Sequence, residues 1–284
     1  MPDFSSTLEA VNWYEAQGRI LTKEYINTIP WEDVKNHELN KEFIPVLLYM
    51  RDVERFTEIY YRELLKTPTG RDPQIRRFMD KWSTEEPTHA ELLNRFLNEA
   101  GYSTSEKWFE EAKSKIPFSY KVSSWLSSNL ANAVGKNFTA VHMTWGAINE
   151  ATTLTGYRRL WEKADHPVLT YILKAIAREE SMHTHFYWSL ARLKLIESKF
   201  AQDVTNFIVR KFWTPVGQGT KPEEDTNYVL KALFDGEEGV KTMDTFVNKR
   251  IELLPGMKGL KTITNRIAQV AAPDFIHNTS EATS

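Results

Sequence analysis

Apolar residues in this chain recur at spacings of three and four rather than two, inside long stretches free of Gly and Pro. That is the period of helices with one buried face. The pattern predicts helices over 7–28, 41–66, 72–100, 105–114, 120–134, 137–164, 167–195, 198–212, 222–234, 239–253 and 257–271, an all-α fold. Thr67-Pro68-Thr69-Gly70, Gly101 and Asp165-His166-Pro167 punctuate the longest of them, and such short turns join antiparallel neighbours. No linker divides the first two hundred residues. The breaker-rich run TPVGQGTKPEED, Thr214 to Asp225, sets off a more loosely patterned tail. The expected organisation is a single domain over 1–284, a four-helix bundle with additional flanking helices, carrying a helical C-terminal appendage at 214–284.

Composition narrows what such a bundle can do. Lys plus Arg number 36 against 38 for Asp plus Glu, a formal charge of −2, so no global basic field exists to hold nucleic acid or an anionic membrane. The longest apolar run, Phe43 to Met50, is interrupted by Pro45 and is well short of the ~18 residues a membrane span requires. Residues 1–12 carry Asp3 and Glu9 but no Lys or Arg, unlike a secretory signal, and the expected location is the cytoplasm. With no Cys, thiolate nucleophiles and cysteine-ligated metal centres are excluded. A metal must use His and carboxylate.

Such ligands occur in a repeated pattern. Glu86-Pro87-Thr88-His89 and Glu180-Ser181-Met182-His183 are the two Glu-x-x-His strings of the chain, each within a long predicted helix. Residues three apart share one helix face, so carboxylate and imidazole can converge on one ion. Glu54 stands 32 residues before the first string and Glu150 stands 30 before the second, each on its own long helix. A Glu from each of two helices and Glu-x-x-His from each of two others is the carboxylate-bridged dinuclear pattern of helix bundles. The six expected ligands are Glu54, Glu86, His89, Glu150, Glu180 and His183, with Glu86 and Glu180 as bridges. Four carboxylates and two neutral imidazoles carry a formal −4 that two divalent ions cancel, and iron or manganese suits such donors. Gly146 and Ala147, one turn before Glu150, leave room beside a metal and mark the expected entry side for substrate. Glu85 and Glu179 project about 100° away from the strings and read as structural. Glu58, Glu63 and Glu91 read as solvent-facing, His185 as lying on another face, and His37, His142, His166 and His277 as lacking partners at helical spacing.

At the level of motif, Trp82 to Leu93, WSTEEPTHAELL, resembles the W-[ST]-x-E-E-x-x-H-x-x-L-L box of the soluble acyl-(acyl carrier protein) desaturases, and Ile176 to His183, IAREESMH, is similar to their second box, I-A-x-[DE]-E-x-x-H. Glu54, six residues before Tyr60, and Glu150, three before Thr153, match that family's isolated ligands and its oxygen-side Thr; the resemblance covers roughly residues 10–215. It implies a ferritin-like bundle with a buried pair of irons, reduction by ferredoxin or a similar donor, reaction with O₂, and removal of two hydrogens from an acyl chain on acyl carrier protein, in a homodimer. It also gives Trp82 a place beside the site, on an electron route, and Thr153 a catalytic place. Two departures stand out: Glu179 replaces the Asp usual in plant members, and Tyr157 stands where they carry a His behind the ligands. Another diiron oxygenase, an amine N-oxygenase or a hydroxylase, is the alternative; the N-oxygenases add a third His where this chain has Ile176. Arg71, Arg76, Arg77, Arg210 and Lys211 are the expected basic patch for an acidic carrier.

Overall fold

A computed structural model describes residues 1–118, 120 and 131–274. These residues contain no β-strand and form thirteen α-helices: α1 (Thr7–Ala16), α2 (Lys23–Asn27), α3 (Phe43–Leu64), α4 (Pro68–Arg71), α5 (Pro73–Glu99), α6 (Trp108–Ser114), α7 (Phe138–Ala164), α8 (Pro167–Ile196), α9 (Lys199–Phe212), α10 (Glu223–Phe234), α11 (Gly236–Met243), α12 (Lys249–Glu252) and α13 (Thr262–Ala271). The four longest, α3, α5, α7 and α8, make the ferritin-like bundle, α3 packing along α5 and α7 along α8.

Local chemistry sets their ends. Asp72 caps α5 by accepting from the amides of Gln74 and Ile75, with Pro73 in the first turn, where its missing N–H is not needed. The hairpin between α7 and α8 is one Asp165-His166-Pro167 unit. Asp165 takes the left-handed conformation at φ 47°, the His166 imidazole accepts from the Leu169 amide, and Pro167 begins α8. Pro87 lies inside α5 and removes one backbone hydrogen bond within the first Glu-x-x-His string.

Several boundaries differ from the pattern. The helix expected over 7–28 stops at Ala16, runs extended past Gln17, and restarts as α2 behind a Thr22 cap. That break frees the Ile20 and Leu21 amides for a side chain of α8. A 3-10 turn, Trp31–Asn36, was not marked by the periodicity. The expected 239–253 helix begins at Gly236 and contains a π turn, Asp244–Asn248. The one expected over 257–271 begins at Thr262, because Gly256 and Gly259 hold φ of +80° and +72°. Of the helix expected over 120–134, residues 131–134 are helical and 121–130 lie outside the described residues.

α1 covers the outer side of α5 and α8, while α9 packs on α7 and α8. The segment after Thr214 lays α10 against α3 and α7, and one apolar cluster runs from Phe4 through the bundle to Leu233, Met243 and Ala271. No helix among the described residues is long and apolar enough to cross a membrane.

Candidate metal centre

Glu54 on α3, Glu86 and His89 on α5, Glu150 on α7, and Glu180 and His183 on α8 are all buried, none more than 8% exposed. They form two groups whose possible ligand atoms lie within 4.8 Å of one another: Glu54, Glu86, His89 and Glu180, and Glu86, Glu150, Glu180 and His183. Glu86 and Glu180 belong to both. The strings cross over: His89 Nδ1 is 3.0 Å from Glu180 Oε1 and 3.7 Å from Glu54, while His183 Nδ1 is 3.0 Å from Glu86 Oε1 and 3.8 Å from Glu150.

These donors suit a pair of cations. Glu86 Oε1, Glu180 Oε1 and His89 Nδ1 are buried and make no hydrogen bond, although His89 and Glu180 approach to 3.0 Å. Buried polar atoms without partners are costly, and here they face a common space. Burial, reinforced by the charges of Glu86 and Glu180, pushes the Glu54 and Glu150 carboxyls well above the usual carboxylate range. Burial opposes ionisation of Glu86 and Glu180 too, but the close approach of neighbouring groups, the imidazoles among them, holds both below it. Burial would lower the imidazoles, yet the surrounding carboxylates raise His89 and His183 well above theirs. Bound cations would relieve the same crowding of buried charge.

Behind the six stand groups that periodicity did not single out. Glu85 and Glu179, read as structural from their 100° offset, are 2% and 0% exposed and reach across to the opposite string: Glu179 Oε2 is 3.0 Å from His89 Nε2, and Glu85 Oε2 is 3.0 Å from His183 Nε2. Each fixes the ring that presents Nδ1 to the centre, the outer hydrogen bond that orients a ligating imidazole. The visible signal was the Glu-Glu doublet opening both strings. Tyr157 donates its hydroxyl to Glu54 Oε1.

A cavity of about 380 Å³ reaches Glu54, Glu86 and Glu150. Trp82 and Thr153 are on its wall, with Phe138, Trp145 and Tyr187. Trp82 is buried with Nε1 unpartnered and packs edge-on to Tyr187 with ring centroids 6.0 Å apart. Thr153 also borders a second, smaller pocket of about 50 Å³ beside Met50 and Leu233. Gly146 lines the main cavity, but a Cβ there would stand within the Tyr187 ring; its smallness seats that ring rather than leaving space. Ala147 is fully buried.

The other described histidines belong to neither group. His185 packs between Phe4 and Trp13, His166 caps α8, His37 pairs with Asp33, and His277 lies outside the described residues. His142 is buried on the cavity wall, its Nδ1 unpartnered. Glu58 pairs with Arg55 and Arg62, and Glu63 with Lys66. In the expected basic patch, Arg76 pairs with Asp80, Arg77 with Glu15, and Arg210 binds Asn206 and a backbone carbonyl, so much of its charge is spent within the chain.

The rubrerythrin family model, of the ferritin-like diiron superfamily, matches residues 53–191, a span that opens one residue before Glu54 and holds all six clustered residues. Nothing in that match is specific to the acyl carrier protein desaturases. No curated protein matches the chain. The buried Glu and His cluster together with the rubrerythrin match suggests iron binding and a diiron oxidoreductase.

Proposed function

We propose that this chain is an O₂-dependent oxidoreductase in which Glu54, Glu86, His89, Glu150, Glu180 and His183 hold two irons, Glu86 and Glu180 bridging. The observation that carries this reading is the pair of four-residue groups sharing Glu86 and Glu180. When bound, the irons supply the redox chemistry that couples reduction of O₂ to oxidation of a C–H bond. The chain's own residues do the rest. Glu85 and Glu179 orient the imidazoles, Tyr157 steadies Glu54, and the apolar bundle excludes water from the centre.

The finer proposal is introduction of a double bond into an acyl chain carried on acyl carrier protein, with ferredoxin or a similar donor supplying electrons and Trp82 and Thr153 beside the reacting groups. The cavity supports it: Val53, Phe138, Trp145 and Tyr187 give it largely apolar walls that reach the carboxylates, and each methylene buried there contributes roughly 0.8 kcal/mol. Ile176, fully buried on α8, adds no third imidazole, in keeping with a desaturase rather than an N-oxygenase. A homodimer is part of this reading by resemblance.

The test supplies reductase, ferredoxin, O₂ and a panel of acyl carrier protein thioesters to iron-loaded protein, with products read by mass. Loss of two hydrogens from an acyl chain is the expected result. Gain of one oxygen would move the assignment to a hydroxylase, and oxidation of a free arylamine with no change in any acyl chain would overturn the desaturase reading. The Glu150→Ala and His183→Ala variants should retain their helicity, which rests on apolar faces, and lose oxidation; full activity in either removes that residue from the ligand set.

A further inference from the structure

We infer that the N-terminal segment from Tyr14 to Leu21, which precedes the residues matched by the family model, makes the two metal positions chemically unequal by holding the two outer carboxylates in different ways. The inference rests on the reading of the six residues as a dinuclear site.

The two strings alone would give near-equivalent positions. Each is Glu-Glu-x-x-His, each imidazole turns Nδ1 to the centre and Nε2 to the first Glu of the other string, and both of those contacts are 3.0 Å. The N-terminal segment is not duplicated, and it treats the halves differently. Behind His183, Glu85 Oε2 accepts the Tyr14 hydroxyl, while Lys81 Nζ lies 3.9 Å from Oε1. The Tyr14 ring itself packs 6.0 Å from the His183 ring, centroid to centroid. Behind His89, Glu179 Oε1 accepts the backbone amides of Ile20 and Leu21 at 2.8 and 2.9 Å, with Arg19 Nε at 3.4 Å.

The difference is one of donor kind and number. Glu179 is pinned by two main-chain amides that cannot rotate away and by a guanidinium that offsets its charge. Glu85 shares one oxygen between an imidazole and a single phenol, and the Lys81 ammonium stands farther off, 3.9 Å from the other. A carboxylate whose charge is more fully satisfied draws less on the imidazole N–H, so the two rings reach their metals with unequal basicity. Tyr14 makes no hydrogen bond to a ligand; its hydroxyl goes to Glu85 and its ring packs beside that of His183. It is a positioning residue that acts on His183 through Glu85.

The test uses the full chain reconstituted anaerobically with two equivalents of ⁵⁷Fe(II), read by Mössbauer spectroscopy, with stepwise affinities from calorimetry and folding checked by circular dichroism. Wild type should give two resolved quadrupole doublets of equal area. Tyr14→Phe should displace one doublet and weaken one binding step by about three- to tenfold, less than the 10–100-fold typical of a direct partner of a ligating His, which Glu85→Gln should show at the same step. Glu179→Gln should disturb the other doublet. Doublets that move together in Tyr14→Phe, or that do not move while the helices stay folded, overturn this inference alone. A wild-type chain that binds no iron overturns the reading of the site as well.

Discussion

Glu85 and Glu179 show how far a single residue can be read from its spacing. The 3.6-residue period correctly directs them away from the centre that Glu86 and Glu180 enter, yet it cannot say that the neighbouring surface is an imidazole rather than water. What lies there depends on which helices pack together, and local pattern does not encode that. The same holds for His142, whose lack of a partner at helical spacing was legible and whose place on the cavity wall was not. Burial holds its imidazole down to about 4, against about 6.5 unfolded. Because the folded value is the lower one, folding is favoured above the unfolded value and loses stability as pH falls from 6.5 toward 4. Chemical denaturation of the metal-free chain at pH 7 and pH 5 should therefore show His142→Phe losing about 2 kcal/mol less than wild type over that interval. An equal loss in both would mean the imidazole is solvated when folded. Gly146 makes a second case: since a Cβ there meets the Tyr187 ring and Tyr187 is 1% exposed, Gly146→Ala should cost about 1–3 kcal/mol. The check is a urea titration, in which unchanged stability would show that the ring can move aside.

Among the elements, the long helices were legible because their ends carry strong local chemistry. Asp72-Pro73 starts α5 within one residue of the expected 72, and Asp165-His166-Pro167 starts α8 where the punctuation predicts. Removing the α5 cap by Asp72→Ala should lower stability by about 0.5–2 kcal/mol, read as a shift in denaturant midpoint without change in slope. The break in the first predicted helix was less legible. Gly18 and the capping Thr22 lie within it, but the reason for the break, two amides turned toward Glu179, lies 158 and 159 residues away along the chain. Likewise the π turn at Asp244–Asn248 sits in a segment whose apolar spacing reads as plain helix.

At the scale of the molecule, four helices converge on one cluster of carboxylates and imidazoles, so the bundle and the cations it is proposed to hold should stabilise each other. Ligation displaces the protons held by Glu54, Glu150 and the imidazoles, whose affinity for them burial and mutual charge enhance. Metal uptake should therefore release protons and weaken as pH falls. Calorimetry in buffers of different ionisation enthalpy would detect the release, and its absence would mean that the cluster is already ionised. Chelation should lower the thermal midpoint, by an amount that grows with the free metal concentration of the loaded sample.

The proposed activity depends on a dinuclear centre. The most direct measurement is the iron content and Mössbauer spectrum of the full chain loaded with ⁵⁷Fe(II) without oxygen and then exposed to O₂. Iron approaching two per chain, all of it in a spin-coupled diferric pair, is the predicted result. Folded protein that holds no iron or one, or two irons that remain magnetically independent, would contradict it.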